Sequence, residues 1–309
     1  MTDVIKFENQ GAIGIITINN PPANALSFAV VKGISDNFNA CMADDNCKSV
    51  VITGAGRMFV AGADISEFGL PRPDDVPELD ALIREMELAP KPIVAVLNGL
   101  ALGGGMELAM GCHYRIAAPT VSVGQPEVHL GFIPGGGGTQ RLPRLVGIEK
   151  ALVMIVGGNP IDAATALEYG AIDEVVEGDL VARAIELAEQ KADSGEAPLQ
   201  TGAKNDKISN VDPQIFEDWR KKVAPKSRNM RSPFECINTV EASTKLDIVE
   251  GLAFERETFE RLMMTAEAKS MRHMFFAERD VAKIPDVPKD TPVQEIKKAA
   301  IIGSGTMGG

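Results

Sequence analysis

Cysteine is scarce in this chain, and its few copies fall in no useful pattern. Cys41, Cys47, Cys112 and Cys236 form no CxxC pair and stand at no ligand spacing from the three histidines. That argues against a disulfide framework and a zinc-type site, and it fits a reducing compartment. Basic charge is also in deficit, with 31 Lys and Arg against 43 Asp and Glu and a formal net charge of -12. A general nucleic-acid or anionic-membrane surface is therefore not expected, although a local basic pocket for one phosphate stays compatible with the balance. Long hydrophobic runs are missing as well: none reaches the roughly 18 residues of a membrane helix. The opening MTDVIKFENQ lacks the basic and apolar regions of a secretory signal. The compartment expected from these features is the cytoplasm.

What is present is an ordinary globular composition, 309 residues with 45% hydrophobic side chains, enough for one large domain or two smaller ones. GIITINNPPANALS and SVVITGAG read as short apolar strands ending in turn residues, and each is followed by a helical pattern. PIVAVLNG and YRIAAPTVSVG repeat the unit, which makes the N-terminal part α/β. From about Asp179 the strand signals stop. VARAIELAEQKA and the long segment from Asp247 to Asp280 read instead as amphipathic helices. The Met and Phe residues of that segment could line an acyl site, but their helical spacing favours a place in the core. KIPDVPKDTPVQEIKK, rich in proline and charge, reads as a linker.

Within VLNGLALGGGMELAMGCHYRIA the one acidic residue is Glu107, in apolar, glycine-rich surroundings. The segment predicts a strand over Ile93 to Leu97, a tight loop, and a helix opening near Gly103. Two readings of Glu107 follow. It can be a carboxylate favoured by the positive end of its helix. Alternatively, Gly103, Gly104 and Gly105 admit a ligand close to the backbone and Glu107 faces it. A second acid, Glu127, lies in a similar glycine-rich frame, VSVGQPEVHLGFIPGGGG, and the intervening elements permit both carboxyls to meet in one cleft. In RMFVAGADISEF, Gly62 and Ala63 occupy a small-residue loop whose N–H groups could meet a carbonyl oxygen. AAIIGSGTMGG carries GxGxxG at Gly303, Gly305 and Gly308 after a short apolar stretch read as a strand. The helix and the acid that a dinucleotide site also needs do not follow within these residues, so no NAD binding is expected here.

FVAGADI, NGLALGGGMELAM and GQPEVHLGFIPGGGGTQRLPRLVG, in that order, closely resemble the crotonase (enoyl-CoA hydratase/isomerase) superfamily, over roughly residues 5 to 195. GCHYRIA, FFAERD and the linker into IIGSGTMGG look like the bifunctional enzymes of fatty acid β-oxidation, in which a hydratase is fused to an NAD-dependent 3-hydroxyacyl-CoA dehydrogenase. The resemblance implies an α/β fold, a spiral of ββα units in two sheets followed by a helical C-terminal region. It implies a crotonase-like domain at 1–195, a helical region packing on it at 196–283, a linker at 284–298, and at 299–309 the first strand and glycine turn of a dinucleotide-binding domain. Glu107 and Glu127 match the family's catalytic glutamates, and the N–H groups of Ala63 and Gly104 its oxyanion hole. Gly135 matches a position whose amide helps to hold the reacting water. Ala63, Asp64, Ile65 and Ser66 match the loop that meets the thioester, and PPANALS the loop that touches adenine and pantetheine. His113 and His129 are read as structural.

The activity implied is hydration of trans-2-enoyl-CoA, with an acyl-CoA thioester as substrate and neither metal nor other cofactor. NAD, the dehydrogenase domain and a thiolase partner belong to a longer parent protein, and a peroxisomal setting stays open for it. Although the family often trimerises, the expectation here is a monomer. Two other functions compete. An enoyl-CoA isomerase would use one glutamate at the same site, and a non-catalytic acyl-CoA scaffold would need neither. The presence of both acids favours hydration.

Overall fold

The structure is a computed structural model that describes residues 4–281, 287–288, 290–292, 294–303 and 305. Two compact units partition the chain, Met1–Arg272 and His273–Gly309. The first unit opens with β1 (Ile5–Gln10), β2 (Ile13–Ile18) and α1 (Phe28–Ala43). Three units of one pattern follow: β3 (Ser49–Gly54), β4 (Met58–Val60) and α2 (Leu79–Glu87); β5 (Ile93–Leu97), β6 (Leu100–Leu102) and α3 (Gly104–Gly111); β7 (Tyr114–Ala117), β8 (Ser122–Gly124) and α4 (Gly138–Val146). After α5 (Ile148–Gly157) come β9 (Ile161–Asp162), α6 (Ala163–Tyr169), β10 (Glu174–Val175) and α7 (Leu180–Asp193). The remaining helices are α8 (Gln214–Val223), α9 (Ser232–Ala242), α10 (Ile248–Met263) and α11 (Ala266–Val281).

Each repeat sends its first strand to a six-stranded sheet, β1-β2-β3-β5-β7-β10, and its second to a four-stranded sheet, β4-β6-β8-β9. Successive repeats therefore advance both sheets by one position, which is the spiral the family resemblance implied. All six-stranded pairings are parallel except β1 with β2, which a tight turn can join. The central strands read as unbroken apolar runs because both of their faces are covered. Ile16, Ile18, Val50, Ile52, Ile93 and Ala95 face the main core, and the alternate residues Ile13, Ile15, Val51, Val94 and Val96 pack against Ala184, Leu187 and Ala188 of α7. Edge strand β1 exposes Lys6 and Glu8, charges that discourage pairing with another chain.

Helices α8 to α10 belong to the same compact unit as the sheets. Phe216, Ile237, Val240 and Leu262 join the main core, so packing runs unbroken past residue 195, where the sequence suggested a boundary. The expected strand at 299–309 does not form over 299–303, which carries no regular structure. A lone parallel strand has no neighbour to satisfy its backbone groups. Of the glycine fingerprint, Gly303 has φ of +109° and Gly305 lies in a bend, whereas Gly308 lies outside the described residues. Residues 284–286, 289 and 293 of the expected linker, and 282 and 283 before it, lie outside them too. Among the described residues no helix is long and apolar enough to cross a membrane.

A buried ion pair ties α2 to α4. Glu87, 1% exposed, accepts from Arg141 at 2.9 Å, Arg84 at 2.8 Å and the Gly202 N–H at 2.6 Å. Burial alone would raise its pKa, but the Arg141 charge and these hydrogen bonds hold it below the ordinary carboxylate value. Arg141→Met would leave much of that charge uncompensated, and a loss of about 3 kcal/mol in urea unfolding at pH 7 is expected. Because a depressed carboxylate stabilises only while ionised, the gap between variant and parent should close as pH falls below the ordinary value of 4.5. A gap independent of pH would assign the loss to packing instead.

Candidate active site

A cavity of about 920 Å³ opens in the first unit, between the loop after β4, the start of α3, the glycine loop before α4, and α10. Ala63, Asp64, Ile65, Gly104, Glu107, Glu127 and Gly135 all line it. Ser66 does not. Asp64 caps the 3-10 turn Ile65–Glu67, and it draws the Ser66 N–H (3.0 Å) and hydroxyl (2.6 Å) to its own carboxylate while Ser66 stands exposed. The expectation that Ser66 meets substrate is corrected accordingly.

Glu107 lies in the first turn of α3, and its partners lie across the cavity. Its carboxylate does not cap its own helix; Oε1 accepts the Gly136 N–H at 2.7 Å and the Gly138 N–H at 2.8 Å from the loop across the cavity. Burial raises Glu107 to about 7, against the pull of those two amides and of Arg141, while Asp80 adds to the rise. Glu127 begins the 3-10 turn Glu127–Leu130, directly after Pro126. With the Gln125 amide turned so that its nitrogen faces Glu127, it donates to both carboxyl oxygens, at 3.0 and 3.1 Å. Burial first, then the charge of Glu107, pushes Glu127 well above the usual carboxylate range, and Glu255 adds to the effect. Carboxyls coupled in this way titrate as a unit and not one by one.

Gly103 and Gly104 sit where a side chain would fill the site. Gly103 has φ of +52°, and a Cβ there would come within 2.7 Å of Glu127 Oε1. A Cβ at Gly104 would lie 3.3 Å from the Ala63 nitrogen. Among the described residues neither the Ala63 nor the Gly104 N–H donates to another group. For Gly104 this follows from its place in the first turn of α3, whose positive end faces the same spot. Ala63 pairs with Leu26 through its neighbours' groups: Leu26 N–H bonds Gly62 O and Asp64 N–H bonds Leu26 O. Gly105, grouped with these two in the sequence reading, instead lets α3 approach β4; its Cβ would meet Val60 O at 2.2 Å. The site thus offers two free amides for an oxygen and two carboxyls whose pKa values are raised unequally.

The sequence reading raised the roof residues as acyl lining but preferred core for them. Phe259 and Met263 of α10, with Met264 just beyond it, line the cavity, although their spacing favoured core. Phe259 does both, meeting Phe68 and Phe132 edge to face at 6.2 and 5.6 Å. Glu255 was missed. It lies on the buried face of α10 with Gly251, Thr258 and Leu262, and an acid on such a face was the available signal. From PPANALS, Leu26 reaches the cavity wall. His113 is structural, as expected: Nδ1 accepts the Ile93 N–H at 3.0 Å, Nε2 faces Glu87 O at 3.2 Å, and burial lowers it to about 4, so it is neutral. His129 is exposed. Among the described residues no group of His, Cys, Asp or Glu is arranged to hold a metal ion.

Comparison with known proteins bears on the family and the fold. The family described as enoyl-CoA hydratase/isomerase matches residues 8–217. The peroxisomal bifunctional enzyme of Danio rerio is 40% identical over 306 residues, and the Arabidopsis thaliana peroxisomal fatty acid beta-oxidation multifunctional protein MFP2 is 38% identical over 307. Each alignment takes in 96% of this chain, which spans only 42% of the relative's length. Both relatives are named as peroxisomal, which lends the cytoplasmic expectation no support. Among solved structures, carnitinyl-CoA hydratase from Mycobacterium avium is 32% identical with a TM-score of 0.65, covering 90% of this chain and 97% of that one. With a family match across most of its first unit, the chain belongs to the enoyl-CoA hydratase/isomerase family.

Proposed function

We propose that this site adds water across the conjugated double bond of a 2-enoyl-CoA thioester. The observation that carries the reading is the convergence of two buried carboxyls, Glu107 and Glu127, and two free amides, Ala63 and Gly104, on one cavity. The thioester oxygen sits between the amides, which stabilise the enolate-like charge that builds as water attacks C3. Ionised Glu107 takes a proton from that water, and neutral Glu127 gives one to C2. The Gly135 amide, on the cavity wall, helps to hold the water. Proton transfer between carboxyls is chemistry that calls for neither a metal nor a redox cofactor. Leu26, Phe68, Phe132 and Phe259 offer the acyl chain an apolar wall, and Lys269 and Arg272 supply the local positive charge that a CoA phosphate needs in an acidic chain.

The match to relatives named bifunctional or multifunctional supports placing this activity in a longer protein, beside a dehydrogenase that would oxidise the 3-hydroxyacyl product. A second use of the site, shifting a double bond with one glutamate, is chemically open to the same residues and is expected to be a side activity. The test is the loss of conjugated-thioester absorbance when the chain meets 2-enoyl-CoA esters of several lengths, with and without a chelator and with no NAD. Hydration should proceed equally in all cases. Inactivity of folded protein on every ester, with binding retained, would favour a scaffold; abolition by the chelator would place a metal in the mechanism.

The protonation states also fix a pH profile. Activity should rise as Glu107 ionises near pH 7, and fall at higher pH as Glu127 loses its proton, giving a bell in kcat/KM. An activity that stays flat from pH 5 to 9 would separate the pair from the rate.

A further inference from the structure

The four amides of residues 136–139 are shared alternately between two buried carboxyl groups. Gly136 and Gly138 donate to Glu107. Gly137 donates to Glu255 Oε1 at 2.5 Å, and Thr139 donates to Glu255 Oε2 through its N–H at 2.8 Å and its hydroxyl at 2.5 Å. Glu255 is 1% exposed and comes from α10, far along the chain, yet it closes the first turn of α4. We propose that Glu255 is a positioning residue of the active site: by gripping Gly137 and Thr139 it holds the intervening amides of Gly136 and Gly138 on Glu107. Only the kinetic arm of this inference rests on the hydration reading.

Three converging donors are best met by a carboxylate, and these bonds pull against the burial and the Glu107 charge that together raise Glu255 to about 8. Consecutive amides of this segment bond opposite carboxyls, so freeing one set is expected to shift the other. The grip also places a third acid near the pair. Facing groups are Glu107 on α3, Glu127 after β8, and Cys236 on α9, while Arg141 on α4 and Asp80 on α2 act on Glu107. As pH rises and Glu255 ionises, its charge helps Glu127 to keep its proton.

Glu255→Gln keeps the size and removes both the charge and one acceptor. Its kcat is expected to fall about 10- to 100-fold with KM changed little, since small misplacements of a reacting group cost that much. The alkaline limb should move down by about one pH unit. Glu255→Asp, charged but one methylene short, should lose kcat and leave that limb in place. Independently of turnover, site-resolved hydrogen exchange should quicken at Gly136 and Gly138, which bond Glu107 and not Glu255. Unaltered exchange at those two amides, or wild-type kinetics despite faster exchange, overturns the inference. If the parent chain hydrates no ester, the functional reading fails, and exchange alone decides the grip. Should Glu255→Gln not fold, Glu255→Asp and Thr139→Val, which removes one of the three donors, carry the same measurements.

Discussion

Glu107→Gln and Glu127→Gln are each expected to lower kcat for hydration at least about 100-fold, the scale on which positioned acids and bases act. The two substitutions fail for opposite reasons. At Glu107 the glutamine carbonyl can still accept the Gly136 and Gly138 amides, so the loop stays in place, but no group remains to take the proton from water. At Glu127 the neutral amide resembles the neutral acid in shape and charge, and what disappears is the proton to be given to C2. Stability should follow the same logic. A carboxyl whose pKa is raised on folding costs stability as pH rises from its ordinary value towards its folded one, so Glu127→Gln should be at least as stable as the parent at pH 8. Wild-type kcat in either variant, measured beside unchanged binding of a saturated acyl-CoA, would show that the named residue does not carry its step.

Much of this arrangement was legible in the residues. The strand expected at Ile93 to Leu97 spans those residues, α3 begins beside the Gly103 expected to open it, and the last strand, Glu174–Val175, ends just before the point where strand signals stop. These elements announce themselves because their signals are local: an apolar run both of whose faces are covered, a glycine with positive φ, an Asp at a helix start. Glu107 and Glu127 stood out because an acid is rare in such apolar, glycine-rich frames. Other parts depend on contacts distant in sequence. Glu255 is one of several acids in IVEGLAFERETFERLM, and only its neighbours on the buried face, together with partners more than a hundred residues away, distinguish it from solvated Glu250 or Glu257. Phe259 and Met263 read as core because core and cavity wall share one periodicity; the void beside them decides. Ser66 misled in the other direction, since its side chain is taken by an Asp two residues before it. The apolar residues before Gly303 suggested a strand that, among the described residues of this unit, has nothing to pair with.

Gly104→Ala should lower kcat/KM about 100-fold or more and leave the protein folded, which makes it the sharpest test of where the thioester oxygen sits. The new methyl carbon would stand 3.3 Å from the Ala63 nitrogen and 3.4 Å from Leu26 Cδ1 and Leu79 Cδ2. Those distances are tight but tolerable, and two of the three neighbours are ends of flexible side chains. The methyl group would occupy the approach to the Ala63 N–H, so an oxygen could reach one donor but not both. Loss of one such donor typically costs 10²- to 10³-fold in rate, because the charge it serves is largest in the transition state. Affinity for a saturated acyl-CoA, whose carbonyl carries little of that charge, should change much less. Gly105→Ala is the contrasting control: its Cβ would meet Val60 O at 2.2 Å, a backbone atom that cannot give way without moving β4 from α3, so the expected outcome is lost stability. If Gly104→Ala instead hydrates at a normal rate, the Ala63 amide is not part of the oxyanion site and the charge must be met elsewhere along the cavity wall.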